Sequence, residues 1–274
     1  MTRHETTIMG SQVAYWERPG PGGGVPLVLL HGFRGNHRAL LELARHLPER
    51  RLILMDLPGY GASTPLNVPH TLDNYVLALE ELVRRLELGP FDLWGHSFGG
   101  TLALMLAGRT QLPLRRLVLV APALRPRGPW ARLIVAYYRA ASFMPEWLRR
   151  LWLASRLFAL VAGWVLVRTP QARRRRQLFA AEQRNLAEFR SQVVIESFVS
   201  FYTLPVATFA PAITIPTLVI AGREDELVPL STLKTWSQNL PHAQLEVLDH
   251  AGHLAPLERP QVAARLTEAF LLAE

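Results

Sequence analysis

Residues 91–108 read Phe91-Asp92-Leu93-Trp94-Gly95-His96-Ser97-Phe98-Gly99-Gly100-Thr101-Leu102-Ala103-Leu104-Met105-Leu106-Ala107-Gly108. The run FDLW has the length and composition of a short buried strand, and TLALMLAG that of a helix. Between them stands G-x-S-x-G. A sharp strand-to-helix turn of this kind holds its central residue in a strained conformation, and the flanking glycines keep side chains out of the way. The Ser97 hydroxyl is thereby lifted above the strand end, beside a helix N-terminus that favours negative charge. Three fixed residues alone are a weak signal; a strand before and a helix after are the context the pattern requires.

The surrounding chain repeats the strand–helix alternation. Upstream, two β-like runs about Gly10 (Glu5 to Met9, Gln12 to Trp16) suggest an antiparallel hairpin, and Pro19 to Gly24 a loop. Pro26 to Leu30 is apolar throughout, and Arg51 to Met55 is apolar after its first residue, as strands buried on both faces are. They alternate with helical patterns over His37 to Leu47, with Asn36 as N-cap, and Thr71 to Leu88. Downstream, Leu117 to Val120 is a strand, and the alternation then stops near Pro122. It resumes at Thr217 to Ala221, followed by a helix near Leu230 to Leu240, a strand Gln244 to Leu248 and a helix Leu257 to Leu272. Alternating βα units imply a mainly parallel, doubly wound α/β sheet. Residues 123–205 carry helical patterns and no strand run. The expected organisation is a core of 1–122 and 206–274 with 123–205 as an inserted helical cap, or lid.

A serine hydroxyl becomes a nucleophile only with a base and an oriented acid. Both follow late strands, in the order acid then base: Gly222-Arg223-Glu224-Asp225-Glu226-Leu227-Val228-Pro229, then Asp249-His250-Ala251-Gly252-His253. Glu224, Asp225 and Glu226 all qualify as the acid, and His250 competes with His253 as the base. Gly252 gives the backbone freedom to aim the His253 ring. His96, beside the nucleophile in sequence, is expected to pack or bond locally with its side chain pointing away across the turn. An oxyanion needs two backbone N–H donors, one of them from Phe98, the residue after the nucleophile.

With these motifs spanning His31 to Pro260, the chain resembles α/β-hydrolase-fold serine hydrolases with a cap, of the esterase and lipase kind. The resemblance implies Asp225 as the acid, from the G-x-x-D-x-x-x-P loop. It implies His253 as the base, from G-H-x-x-x-x-E-x-P with Glu258 and Pro260 in place. His31-Gly32-Phe33-Arg34-Gly35 is similar to the family's H-G-x loop, which makes Phe33 N–H the second oxyanion donor, leaves its side chain free to line the pocket and casts His31 as a structural hydrogen-bonder. Asp56, Pro58, Gly59, Gly61 and Ser63 match a D-x-P-G-x-G-x-S turn beside the site. No motif covers the cap.

Composition closes off other classes. In 274 residues, 49% hydrophobic and 19% charged, there is enough apolar material for a core, and Cys 0 excludes disulfides, a thiolate nucleophile and Cys-ligated metal. No phosphate-cradling loop, no H-E-x-x-H and no metal-ligand spacing is present, so neither a cofactor nor a metal is expected. The net charge of +8 is uneven: residues 123–205 hold 14 Arg against 4 Glu, leaving the rest of the chain at −2. No reader motif accompanies that charge, so nucleic acid is not expected as a partner; the run Arg173 to Arg176 reads as a solvated face. The start, MTRHETTIMG, has no apolar signal region, which points to a cytoplasmic protein.

The cap segment also holds Trp130, Trp147, Trp152 and Trp164. Leu151 to Val167 is 17 residues with one charge, Arg156. That is short for a transmembrane helix. It suits a cap helix over an acyl pocket, or an interfacial helix touching anionic lipid at the membrane periphery. The expected activity is therefore hydrolysis of a small-molecule carboxylic ester with a hydrophobic acyl group through an acyl-enzyme. The same resemblance leaves open carbon–carbon bond hydrolase, lyase, acyltransferase or perhydrolase chemistry, and, further off, a non-catalytic ligand binder. Ser97 in place of Asp argues against haloalkane dehalogenase and epoxide hydrolase chemistry, and the absence of H-G-G-x-P against proline iminopeptidases.

Overall fold

The structure is a computed structural model describing residues 1–21, 24–109, 111–124, 129–167, 190–204 and 206–273. Arg173 to Arg176 lie outside the described residues, as does the side chain of Trp130.

Its centre is an eight-stranded sheet in the order β1-β2-β4-β3-β5-β6-β7-β8. Strands β1 (Thr2–Ile8) and β2 (Ser11–Arg18) form the expected hairpin. Ile8 pairs with Ser11 across a two-residue turn in which Met9 and Gly10 both have positive φ, 46° and 79°. This turn matches the right-handed strand twist. β2 joins β4 (Leu52–Met55) antiparallel. From β4 onward, through β3 (Leu27–Leu30), β5 (Phe91–His96), β6 (Leu114–Val120), β7 (Thr217–Gly222) and β8 (Ala243–Leu248), every pairing is parallel.

The two-residue period of the strands sorts the core into two layers. Val28, Leu30, Ile53, Met55, Leu117 and Leu119 pack with α2 (Leu72–Arg85) and α3 (Phe98–Arg109). Their neighbours Leu27, Leu29, Leu52, Leu54, Val118 and Val120 pack on the other face with α1 (Arg38–Arg45) and the C-terminal helix. Both faces are covered, which is why these strands are apolar without alternation. Thr71 caps α2 by accepting from Asn74 N–H; at α1 the N-cap position falls on His37 rather than the expected Asn36, without a side-chain cap bond, while Asn36 Oδ1 accepts from Arg38 N–H.

Between β6 and β7 the described residues are helical: α4 (Pro129–Ser142), α5 (Glu146–Leu153), α6 (Arg156–Leu166), α7 (Ser191–Thr203) and a 3-10 segment Val206–Ala212. The apolar run Leu151 to Val167 is not one helix. It breaks at Ala154–Ser155, where Ser155 turns to cap α6 by accepting from Phe158 N–H. Among the described residues no helix is long and apolar enough to cross a membrane. Polar contacts tie the inserted helices to the sheet body. Glu196 accepts from His70 N–H at 2.8 Å, Ser200 Oγ from Leu72 N–H at 2.8 Å, and Leu153 O from the Arg34 guanidinium at 3.2 Å.

After β7 come α8 (Leu230–Ser237), α9 (Ala255–Glu258) and α10 (Pro260–Leu272). The sequence suggested one helix over Leu257 to Leu272. The chain instead breaks at Arg259, whose φ of −133° and ψ of 53° lie outside the helical region, because a residue before proline is pushed out of the α region.

Candidate active site

Because β3, β5, β7 and β8 run parallel, the loops at their C-terminal ends gather along one edge of the sheet. The first of these is the turn from β5 into α3. Ser97 sits there with φ +51°, a strained value for a residue with a side chain. It is fixed from both sides: Ser97 N–H donates to Val120 O at 3.0 Å, and Ser97 O accepts from Thr101 N–H at 2.9 Å and Ala123 N–H at 3.1 Å. The flanking glycines are steric necessities. A Cβ on Gly95 would stand 2.3 Å from Gly99 O, and one on Gly99 2.5 Å from both Leu30 O and His31 O.

The loop after β8 brings His253 Nε2 to 2.8 Å from Ser97 Oγ. The loop after β7 brings Asp225 Oδ2 to 2.8 Å from His253 Nδ1. The other carboxylate oxygen accepts from Leu227 N–H at 2.8 Å and Val228 N–H at 2.9 Å. All three residues are buried. The rival candidates lie elsewhere. His250 is exposed and faces Glu224 at 3.7 Å, and Asp225 is the carboxylate that meets the ring. A Ser–His–Asp line of this geometry can remove a proton from the serine hydroxyl and hold the resulting imidazolium.

The loop after β3 completes the edge. His31 is buried. Its Nδ1–H donates to Gly32 O at 2.8 Å, and its Nε2 accepts from Leu57 N–H at 3.0 Å, so the neutral ring clamps the turn. Gly35 N–H closes the turn on Gly32 O at 2.9 Å. Phe33 and Phe98 line the same cavity as Ser97, their rings edge to face with centroids 5.8 Å apart. Phe98 begins α3, so its N–H belongs to the end of the helix where donors lack intrahelical partners. Asp56, below this turn, accepts from His37 N–H at 2.6 Å and Ala62 N–H at 2.8 Å. Burial alone would raise its pKa, but the His37 and His31 rings and these amide bonds outweigh it and hold the carboxyl below the usual range. Gly61 leaves room: a Cβ there would lie 2.1 Å from Asp56 Oδ2.

The cavity, about 160 Å³, opens on Ser97 and His253. Its walls are apolar, with Ile134 and Tyr138 from α4, Phe158, Ala162 and Leu166 from α6, and Phe198 from α7 prominent. Among the described residues no group of three or more His, Asp or Glu side chains could hold a metal ion.

A family model described as alpha/beta hydrolase fold matches residues 25–260. The chain belongs to that family. Among curated proteins this hydrolase is 32% identical to a 2-hydroxymuconate semialdehyde hydrolase of Pseudomonas sp. strain CF600, over 91% of this chain and 88% of that one. It is 26% identical to Lipase 1 of Psychrobacter immobilis, over 97% of this chain and 82% of that one. Among solved structures, a thermophilic esterase from Thermogutta terrifontis shares the fold with a TM-score of 0.82 at 24% identity, covering 99% of this chain and 98% of that one.

Two residues of this hydrolase play parts the sequence reading did not give them. His96 does not point away. It lines the cavity, and its Nε2–H donates to His253 O at 2.9 Å, tying the two loops together. Its position one residue before Ser97 suggested only local bonding; the partner lies 157 residues away. Glu258, noted only as part of a motif, accepts from Gly252 N–H at 2.8 Å and so fixes the backbone next to His253.

Burial pushes His96 down to about 3, helped by the nearby His253 and opposed by the bond to its carbonyl. Burial also lowers His31 and, against the pull of Glu196, His70. In the unfolded chain these rings take up protons near pH 6.5, whereas in the folded protein they resist. Stability present at pH 7 is therefore lost as pH falls below the unfolded value, by about 2 kcal/mol at pH 5 for a ring such as His96. The melting temperature should drop from pH 7 to pH 5, and His96→Asn should flatten that slope. An unchanged slope would refute this assignment.

Proposed function

We propose that this protein is a serine carboxylic-ester hydrolase acting on a neutral ester with an apolar acyl group. Ser97 Oγ attacks the ester carbonyl while His253 Nε2 takes its proton. Asp225 keeps the ring in the tautomer whose Nε2 is free and balances the imidazolium. The N–H groups of Phe33 and Phe98 receive the oxyanion. His253 then protonates the leaving alcohol, and water releases the acyl group from Ser97 by the same steps in reverse. In this reading residues 1–122 and 206–274 form the catalytic core, and 123–205 is a cap whose α4, α6 and α7 roof the acyl pocket. The observation that carries it is the Ser97–His253–Asp225 hydrogen-bonded line opening into an apolar cavity.

A second reading, carbon–carbon bond hydrolysis, draws support from the relative named 2-hydroxymuconate semialdehyde hydrolase. A muconate carries a carboxylate, and among the described residues no Arg or Lys lines the cavity to meet one. An uncompensated anion in an apolar site costs several kcal/mol, so the neutral ester is favoured.

The discriminating experiment is a panel of p-nitrophenyl esters from acetate to octanoate, run beside 2-hydroxymuconate semialdehyde. We expect kcat/KM to rise with chain length and the semialdehyde to persist. Ala162→Phe, which fills the α6 wall, should lower kcat/KM for octanoate about 10-fold or more while acetate changes little. Turnover of the semialdehyde with none of the esters would replace this reading with the second.

A further inference from the structure

Helix α6 is apolar on two sides. Phe158, Ala162 and Leu166, spaced by four, form the cavity wall. Leu157, Leu160 and Trp164 are exposed, Leu157 at 72%. A helix hydrophobic all round is ordinarily buried on every side. On α5, Trp147 and Leu151 are likewise exposed at a spacing of four, and Phe143, at the α4–α5 junction, is 81% exposed. Large apolar surfaces of this kind mark contact sites.

The charge around this surface identifies its occupant. Residues 129–167 contain five Arg, of which Arg132, Arg139, Arg150 and Arg156 are exposed, and a single acid, Glu146. Glu146 is engaged, accepting from Ser191 Oγ–H at 2.6 Å. Among the described residues of 129–167, a second copy meeting this face about a two-fold axis would set arginines against arginines with Glu146 as the one carboxylate to answer them. An anionic bilayer offers both complements, hydrocarbon for Leu and Phe and phosphate for arginines that reach past it, with Trp at the boundary between them. With 11 residues α6 is too short to span a membrane, so it would lie in the interface.

We propose that the outer faces of α5 and α6 dock this protein on an anionic lipid bilayer, with the inner face of α6 leading from the lipid to the Ser97 cavity. The inference rests on the outer surface and stands whichever bond Ser97 cleaves.

The test is co-sedimentation of the full chain with vesicles of phosphatidylcholine alone and of phosphatidylcholine with about 30 mol% phosphatidylglycerol, each at low and high salt. Binding should be about 10-fold or more tighter to the anionic vesicles and should weaken with salt. A Trp147→Ser/Leu157→Ser double variant should lose it by about 10-fold or more while keeping its thermal unfolding curve. Ser97→Ala should bind as the wild type does, which separates this result from the fate of the esterase reading. Failure to sediment with either vesicle overturns the proposal, whether gel filtration shows a monomer or a dimer. So does equal binding to both vesicles, or binding that the double variant retains. If the double variant unfolds, Arg150→Gln/Arg156→Gln replaces it, and salt-sensitive binding unaltered by that change has the same consequence.

Discussion

Asp225→Asn should lower kcat by about 10⁴-fold while leaving the fold intact. The size follows from how the carboxylate is held. Its Oδ1 accepts from the N–H groups of Leu227 and Val228, and its Oδ2 from His253 Nδ1–H. An amide here must turn its oxygen to the two backbone donors, because its NH₂ group has nothing to give them. The NH₂ then faces His253 Nδ1, which can only accept. The ring proton moves to Nε2, the nitrogen that must take the proton from Ser97, and the base is disabled without being displaced. Steady-state kinetics on a p-nitrophenyl ester read this directly. Glu224→Gln, the same change at an exposed neighbour, should alter kcat by less than about 2-fold. A comparable loss at both positions would make the acid assignment wrong.

Ser97→Ala should remove turnover altogether, a fall of about 10⁶-fold, without unfolding the protein. The strained φ of +51° is imposed by backbone bonds to Val120, Thr101 and Ala123, which alanine retains, so the turn should persist. The side chain's recorded bond is to His253 Nε2. The two residues act as a unit, so His253→Ala added to Ser97→Ala should cost nothing more. Activity, circular dichroism and a melting curve on the two variants suffice. Residual turnover within about 100-fold of wild type would mean another group attacks the substrate.

Much of the fold could be read in the sequence because local chemistry dictates it. Leu27–Leu30 and Leu52–Met55 are apolar without alternation because helices cover both faces of their strands, and such runs are conspicuous. The Ser97 turn could be read because only glycine fits at 95 and 99, where any Cβ meets backbone. Asp225 and His253 followed from resemblance, since composition alone left Glu224, Glu226 and His250 as rivals. The rest depends on distances that only the folded chain creates. The ring of His96 reaches the carbonyl of His253 across two loops, and that of His70 bonds Glu196 across 126 residues. In neither case does local spacing announce the partner. The break at Arg259 was different: Pro260 carried the signal, but the apolar period running on to Leu272 masked it.

In the proposed mechanism Ser97 is a nucleophile made reactive by His253. The most direct test is to treat the wild type and His253→Ala with a fluorophosphonate and locate the adduct by peptide mass spectrometry. One phosphonylated residue is expected in the wild type, Ser97, with labelling slower by about 10³-fold or more once the imidazole is gone. An unmodified Ser97 in active wild-type protein, or a Ser97 that reacts just as fast without His253, would contradict it.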